Sequence, residues 1–240
     1  MLKIPWSYRG HPENNDQWIH RTVFPHKKVG FFVELGAADG LSGSSCSFLE
    51  RIGWRGICVD PSAVFFPRLE RNRPKAVCEN VCITDKSGEV IFKEDGYRSR
   101  VMFAPRNEFD RSSRLMASTT LVELLRKHQC PKVIDYLAMD CEGSDGRILR
   151  GFPFDEYQIL AVSMETDHAK EVLACNGFVK VRNPFNATCP WEMNYVHSSM
   201  LNQSARFPSN DSGPPLTSCL KPVRDSLKTK VSTWFGPKMM

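Results

Sequence analysis

A carboxylate set into an apolar run and followed by glycines is the first place in this chain where chemistry can be sought. Glu34-Leu35-Gly36-Ala37-Ala38-Asp39-Gly40 overlaps the apolar stretch Phe31 to Leu35 and leads into a helical pattern. Gly36 permits a tight turn, and Gly40 lets the backbone approach a ligand. The spacing is not Gly-x-Gly-x-x-Gly, which argues against a dinucleotide site and a nicotinamide oxidoreductase. An acid in this strand favours a cationic or hydroxyl-rich ligand over a pyrophosphate. Glu34, Gly36, Ala37, Asp39 and Gly40 are therefore the candidate binding residues of this segment, with simple packing as the other use of its glycines.

Asp60 ends the next apolar run, about twenty residues further on, and precedes Pro61. A carboxylate there can accept both hydroxyls of a nucleoside ribose. Its other use is to cap, with Ser62, the helix expected over Phe65 to Asn72. A third group follows another apolar run: Asp140-Cys141-Glu142-Gly143-Ser144-Asp145. Glu165, Asp167 and His168 end the run after that. Acids at the C-terminal ends of strands lie on the edge where α/β sheets bind ligands. Asp145 and Asp167 are read as solvated helix caps, whereas Asp140 and Glu165 end buried runs. Asp140, Glu142, Glu165 and His168 form the candidate reacting centre, with Glu142 or His168 as general base. No ligand spacing demands a metal and none is assigned; a hard divalent ion on Asp140 and Glu165 is the other use of those carboxylates.

The elements that must carry these residues are short apolar runs alternating with helical patterns, the signature of a βαβ sheet. Strands are expected at Phe31 to Leu35 (central), Gly56 to Val59, Ala76 to Ile83, Val133 to Met139 and Ile159 to Met164. Val90 to Phe92 is a short addition, and Phe178 to Val181 with Asn194 to His197 a closing antiparallel pair. Helices fit at Ser44 to Ile52, Thr119 to His128 and His168 to Asn176, with a short one near Asp16 to Thr22. Thr120 and Glu123 have the spacing of a capping box. Gly96 to Ser118 carries five arginines with little apolar periodicity, and reads as a loop, either a substrate lid or solvated.

The ordered blocks FFVELGAADG (31–40), LERIGWRGICVDP (49–61), LERNRP (69–74), TLVELL (120–125), IDYLAMDCEG (134–143) and ILRGFPF (148–154) resemble the FkbM-type methyltransferases, over roughly residues 29 to 200. The resemblance implies a Rossmann-like fold: a mostly parallel seven-stranded sheet with helices on both faces. It implies S-adenosylmethionine as cofactor, bound by the residues of the first segment with Asp60 and Asp140, the last facing the methionine moiety. It also implies a small-molecule or glycan hydroxyl as acceptor. Asp60 stands where Glu is common, Asp145 where a second Glu is frequent, and Ser44-Ser45-Cys46 where relatives have Ser-Asn-Thr. A methyltransferase-like scaffold that binds without catalysing is the competing reading.

Composition sets the outer limits. The chain has 240 residues, 41 % hydrophobic and 25 % charged, which suits one soluble α/β domain. Residues 1–28 read as an arm, 29–200 as the domain and 201–240 as a disordered, Ser-, Pro- and Lys-rich tail. The net charge of +5 is dispersed along the chain and does not indicate nucleic acid. Nine cysteines, an odd number with no Cys-x-x-Cys pair, read as reduced packing thiols. No apolar stretch spans a membrane and the first residues are no secretory signal, so a cytoplasmic location is expected.

Overall fold

The computed structural model describes residues 14–103, 110–186 and 192–203. Five strands form the parallel body of a seven-stranded sheet: β1 (Phe31–Leu35), β2 (Arg55–Val59), β3 (Val77–Glu79), β8 (Val133–Met139) and β9 (Gln158–Met164). Strand β11 (Met193–His197) pairs antiparallel with β9, and β10 (Phe178–Val181) antiparallel with β11, giving the order β10-β11-β9-β8-β1-β2-β3. The sheet is thus mixed at one end and otherwise parallel. β1 lies between β2 and β8, as its apolar sequence requires of a strand covered on both faces.

Alternation along β1 sends side chains to two cores. Val33 and Leu35 join Ile57, Val59, Leu137 and Met139 beneath α4 (Leu121–Lys127), α5 (Asp145–Arg150) and α6 (Lys170–Cys175). Phe32 joins Cys58, Tyr136 and Ala138 on the other face. That face is covered by α1 (Asn15–Trp18) with the π-helical turn Ile19–Val23, by α2 (Ser47–Arg51) and by α3 (Phe66–Asn72). Trp18, Ile19 and Val23 are buried in this second core, so the described part of the N-terminal arm is packed against the sheet. The tail from residue 204 onward lies outside the described residues.

Two expectations need correcting. The run Ala76 to Ile83 is not one strand: β3 stays in the main sheet, while β4 (Cys82–Thr84) leaves it. The break is held by Asp60 N–H donating to the Glu79 carbonyl and the Asn80 amide donating to the Asp60 carbonyl, at 3.1 and 2.8 Å. Gly96 to Ser118 is not simply a loop either. β4 pairs with β7 (Ser113–Thr120), β7 with β5 (Gly88–Lys93), and β5 in turn with β6 (Arg100–Met102), forming a second, four-stranded sheet. Residues 104–109, including Arg106, lie outside the described residues. β7 runs directly into α4, and the Thr120–Glu123 capping box is formed as its spacing predicts. No helix among the described residues is long and apolar enough to cross a membrane.

Candidate active site

The C-terminal ends of β1, β2 and β8 meet the second sheet around a cleft that opens to solvent. One wall is apolar, with Phe65, Ile83, Phe92 and Val101; the other is built from Gly36, Ala38, Asp60, Asp140 and Ser144. Gly36 has φ +80°, and a Cβ on it would stand 1.9 Å from the Asp140 carbonyl oxygen. Only glycine allows β1 and β8 to end this close together. Asp60 is buried at the cleft wall. Its carboxylate accepts from Ala38 N–H at 2.7 Å and from Ser62 N–H at 2.9 Å, so it ties the glycine turn to the start of the next helical segment. Burial pushes its carboxyl up to about 7 against the lowering effect of those two bonds.

Across the turn, Asp140, Glu142 and Glu165 bring carboxylate oxygens within 4.8 Å of one another. With Ser42, Gly43, Tyr97 and Arg98 they line a second pocket that shares Gly36, Ala38 and Asp140 with the cleft. Asp140 is pushed up to about 9, first by burial and then by Glu165, Glu142 and Asp145. One of its oxygens is buried without a hydrogen-bond partner, as is the hydroxyl of Ser144. Glu142 has φ +48°, a conformation that aims it at this pocket as the chain turns into Gly143; burial and Glu165 raise its carboxyl, while Arg100 and Arg98 oppose the rise. The three acids sit close enough to share a divalent ion.

The other candidate residues have partners of their own within the protein. The Glu34 carboxylate is 3 % exposed and engaged with Arg73 at 2.8 Å, the Ser44 hydroxyl and Ser45 N–H; it braces the loop around Gly43. Arg73, itself buried, also pairs with Glu50 at 2.5 Å, so loop, α2 and α3 are locked through one guanidinium. Gly40 serves close packing: a Cβ there would meet Arg73, just past α3, at 2.6 Å and Leu69 of α3 at 2.7 Å. Asp39 shapes the loop by accepting from Leu41 and Ser42 N–H, and Ala37 packs in the second core. His168 is exposed, and it lines neither pocket, because the chain has already turned away after Glu165 and places it above Gly146 of α5. Asp145 is not solvated but fully buried, accepting from Thr166, and burial raises its carboxyl to about 6. Asp167 instead accepts from the Tyr195 hydroxyl.

Sequence reasoning missed Glu192, whose carboxyl is pushed up to about 7 by burial beside Glu165 and Asp145. It also missed Tyr97; Arg98 and Arg100, which line the pockets beside it, belong to the arginine-rich stretch offered as a substrate lid.

Among curated proteins none matches the chain. Solved structures of similar shape include a TehB-like SAM-dependent methyltransferase from Corynebacterium glutamicum, at 10 % identity and TM-score 0.39, covering 77 % of this chain and 86 % of that one. A human methyltransferase 10 domain containing protein is similar at 12 % identity and TM-score 0.40, covering 78 % and 81 %. Such likenesses carry little weight beside the sequence match. Residues 34–189, more than half of the chain and running from the end of β1 past β10, match the Methyltransferase FkbM domain, and the chain belongs to that family.

Proposed function

We propose that the chain is an S-adenosylmethionine-dependent O-methyltransferase acting on a hydroxyl of a small molecule or glycan. The observation that carries this is the joined pair of pockets at Gly36 and Asp140: an apolar-walled cleft ending at Asp60, and a carboxylate-lined pocket beside it. The donor set fits the cofactor. Asp60 keeps acceptor capacity for ribose hydroxyls beyond its two backbone bonds, Phe65 and Ile83 offer apolar surface to a base, and the unpartnered Asp140 oxygen calls for a cation or donor. When bound, S-adenosylmethionine supplies an electrophilic methyl group on a cationic sulfonium. The protein's own contribution is alignment, since an in-line displacement gains most from fixed geometry. A hydroxyl acceptor must also lose its proton. Glu142 takes that role: it faces the shared pocket and its raised carboxyl lies nearer neutrality than an ordinary glutamate.

Calorimetry with S-adenosylmethionine, then transfer of labelled methyl to a panel of hydroxyl compounds and sugars, tests the proposal. Asp60→Ala is expected to weaken cofactor binding roughly a hundredfold, the loss of two hydrogen bonds to a charged acceptor, and Asp60→Asn, which keeps one acceptor oxygen, by less. Parallel assays with a chelator and with added magnesium distinguish alignment by carboxylates alone from a divalent ion on Asp140, Glu142 and Glu165. Absence of cofactor binding by the wild-type chain, or methylation confined to nitrogen or carbon, overturns the reading.

A further inference from the structure

A third, narrower pocket opens off the same junction on the α1/α2 face of the sheet. It shares Gly36 and Asp140 with the cleft and is lined further by Gly43, Ser45, Ser163, Glu165 and Glu192. Glu34 borders it too, but its charge is met from behind by Arg73. No basic side chain lines this pocket, and Glu192 has no ion-pair partner among the described residues.

Glu192 is held there by Asn15, which lies in α1, outside the span of the family match. Asn15 is 1 % exposed. Its amide nitrogen donates to Glu192 Oε1 at 2.8 Å and to the Ser45 hydroxyl at 3.4 Å, and its amide oxygen accepts from Asn183 and Asn194 at 3.2 and 3.1 Å. Both hydrogens and both lone pairs of one amide are thereby used, which fixes its orientation and with it the carboxylate. Such a fully connected buried polar hub is costly to assemble and rigid once formed.

We propose that Glu192, positioned by Asn15, receives the α-ammonium group of the cofactor's methionine moiety. The inference rests on the S-adenosylmethionine reading above and deepens it. The pocket is lined by carboxylates and hydroxyls, so its complement is a compact cation that donates hydrogen bonds. A sulfonium is a cation without an N–H and cannot satisfy these acceptors; an ammonium can. The pocket begins where the nucleoside cleft ends, at Gly36 and Asp140, so the far end of a ligand lying in the cleft reaches it. It is too narrow for a methyl acceptor, for which the wider pocket at Glu142 and Arg98 remains. The burial that raises the Glu192 carboxyl agrees with a group awaiting a counter-ion.

Two ligands separate this contact from the rest of the site. S-adenosylhomocysteine carries the amino-acid end, whereas 5′-methylthioadenosine keeps the nucleoside and thioether but lacks it. Titration calorimetry of wild type, Glu192→Gln and Asn15→Ala is run with both, after thermal melts establish that each variant folds. Glu192→Gln is expected to weaken S-adenosylhomocysteine roughly 10- to 100-fold, the loss of a charge-assisted bond, and 5′-methylthioadenosine less than about twofold. Asn15→Ala is expected to show the same discrimination at smaller size, which a purely structural role would not produce. Equal loss for both ligands, or none for either, overturns the proposal. So does a wild-type protein that binds the two equally well, a comparison that holds even if neither variant folds; in that case the cofactor reading survives. A wild type that binds neither ligand refutes the cofactor reading itself and takes the proposal with it.

Discussion

Gly36→Ala probes the tightest of the described glycine positions. The added Cβ would lie 1.9 Å from the Asp140 carbonyl oxygen, whereas ordinary contact begins near 3.4 Å, so the ends of β1 and β8 must part by about 1.5 Å. The Asp140 N–H to Leu35 carbonyl bond, 2.9 Å long, spans that gap and is lost. A left-handed φ costs alanine roughly 1 kcal/mol, and breaking a buried backbone bond roughly 1–3 kcal/mol more. The sum is about 2–4 kcal/mol, and at roughly 2–4 °C per kcal/mol for a chain of this size the Tm falls by about 10 °C. Gly143→Ala is the matched control. Its φ of +92° carries the same conformational penalty, but nothing lies within 4 Å of its Cβ, so it loses only about 1 kcal/mol. The entropic effect of Gly→Ala on the unfolded chain is common to both and cancels in the difference. Thermal melts followed by circular dichroism measure the two shifts. Equal shifts would refute the reasoning, because they would mean that backbone strain alone acts at Gly36 and that the strand ends are not in contact.

Arg73→Met leaves the buried Glu34 and Glu50 without a counter-charge and is expected to cost roughly 3–5 kcal/mol in urea unfolding. The double variant with Glu34→Gln should recover part of that loss, and no recovery would contradict the pairing. His168→Ala should leave methyl transfer within about twofold of wild type, while Glu142→Gln lowers kcat roughly 100-fold; the reverse order would restore His168 as the base. Proton linkage gives a pH test. The carboxyls of Asp60 and Asp140 are raised to about 7 and about 9, so the folded protein holds protons that the unfolded chain has released. Stability from these groups is therefore full below about pH 4 and falls as pH rises through 7 and 9. A bound cation favours the ionised form, so S-adenosylmethionine should bind up to about tenfold tighter per pH unit between pH 6 and 8, with release of about one proton. Calorimetry in two buffers of different ionisation enthalpy measures the release, and its absence counts against Asp140 facing the cofactor.

The sequence was most informative where burial on both faces leaves an uninterrupted apolar run. β1 and β8 have the boundaries expected of them, residue for residue. The capping box at Thr120 was equally plain, because its two partners are three residues apart. The second sheet was not legible. β7 is only partly buried along most of its length, so the apolar alternation that marks a strand is missing and backbone pairing with β5 carries it. The split of Ala76 to Ile83 depends on Asp60 and Asn80, a contact made in three dimensions between residues about twenty apart. Asn15 and Glu192 lie further still from one another, with no local pattern joining them. The partners of Glu34 and Gly40 were not legible either, since nothing in the motif itself shows that Arg73 arrives from the end of α3.

The way the second sheet is attached has a consequence for diversification. β4 and β7 stand side by side, with Cys82, Ile83 and Thr84 in register with Ser118, Thr119 and Thr120. The two strands run parallel, so the excursion between them leaves after Thr84 and re-enters the pairing at Ser118, one short strand length away, and its return strand is clamped to α4 by the capping box. Among the described residues between 85 and 112, Phe92 and the Gly96–Val101 segment are the ones that line the cleft. Such a stem behaves like a socket. Its insert can be lengthened, shortened or exchanged for another without disturbing the register of the main sheet, while changing what overhangs the wider pocket. A laboratory seeking a new acceptor preference from this scaffold would recombine that one segment and leave the glycine turn untouched.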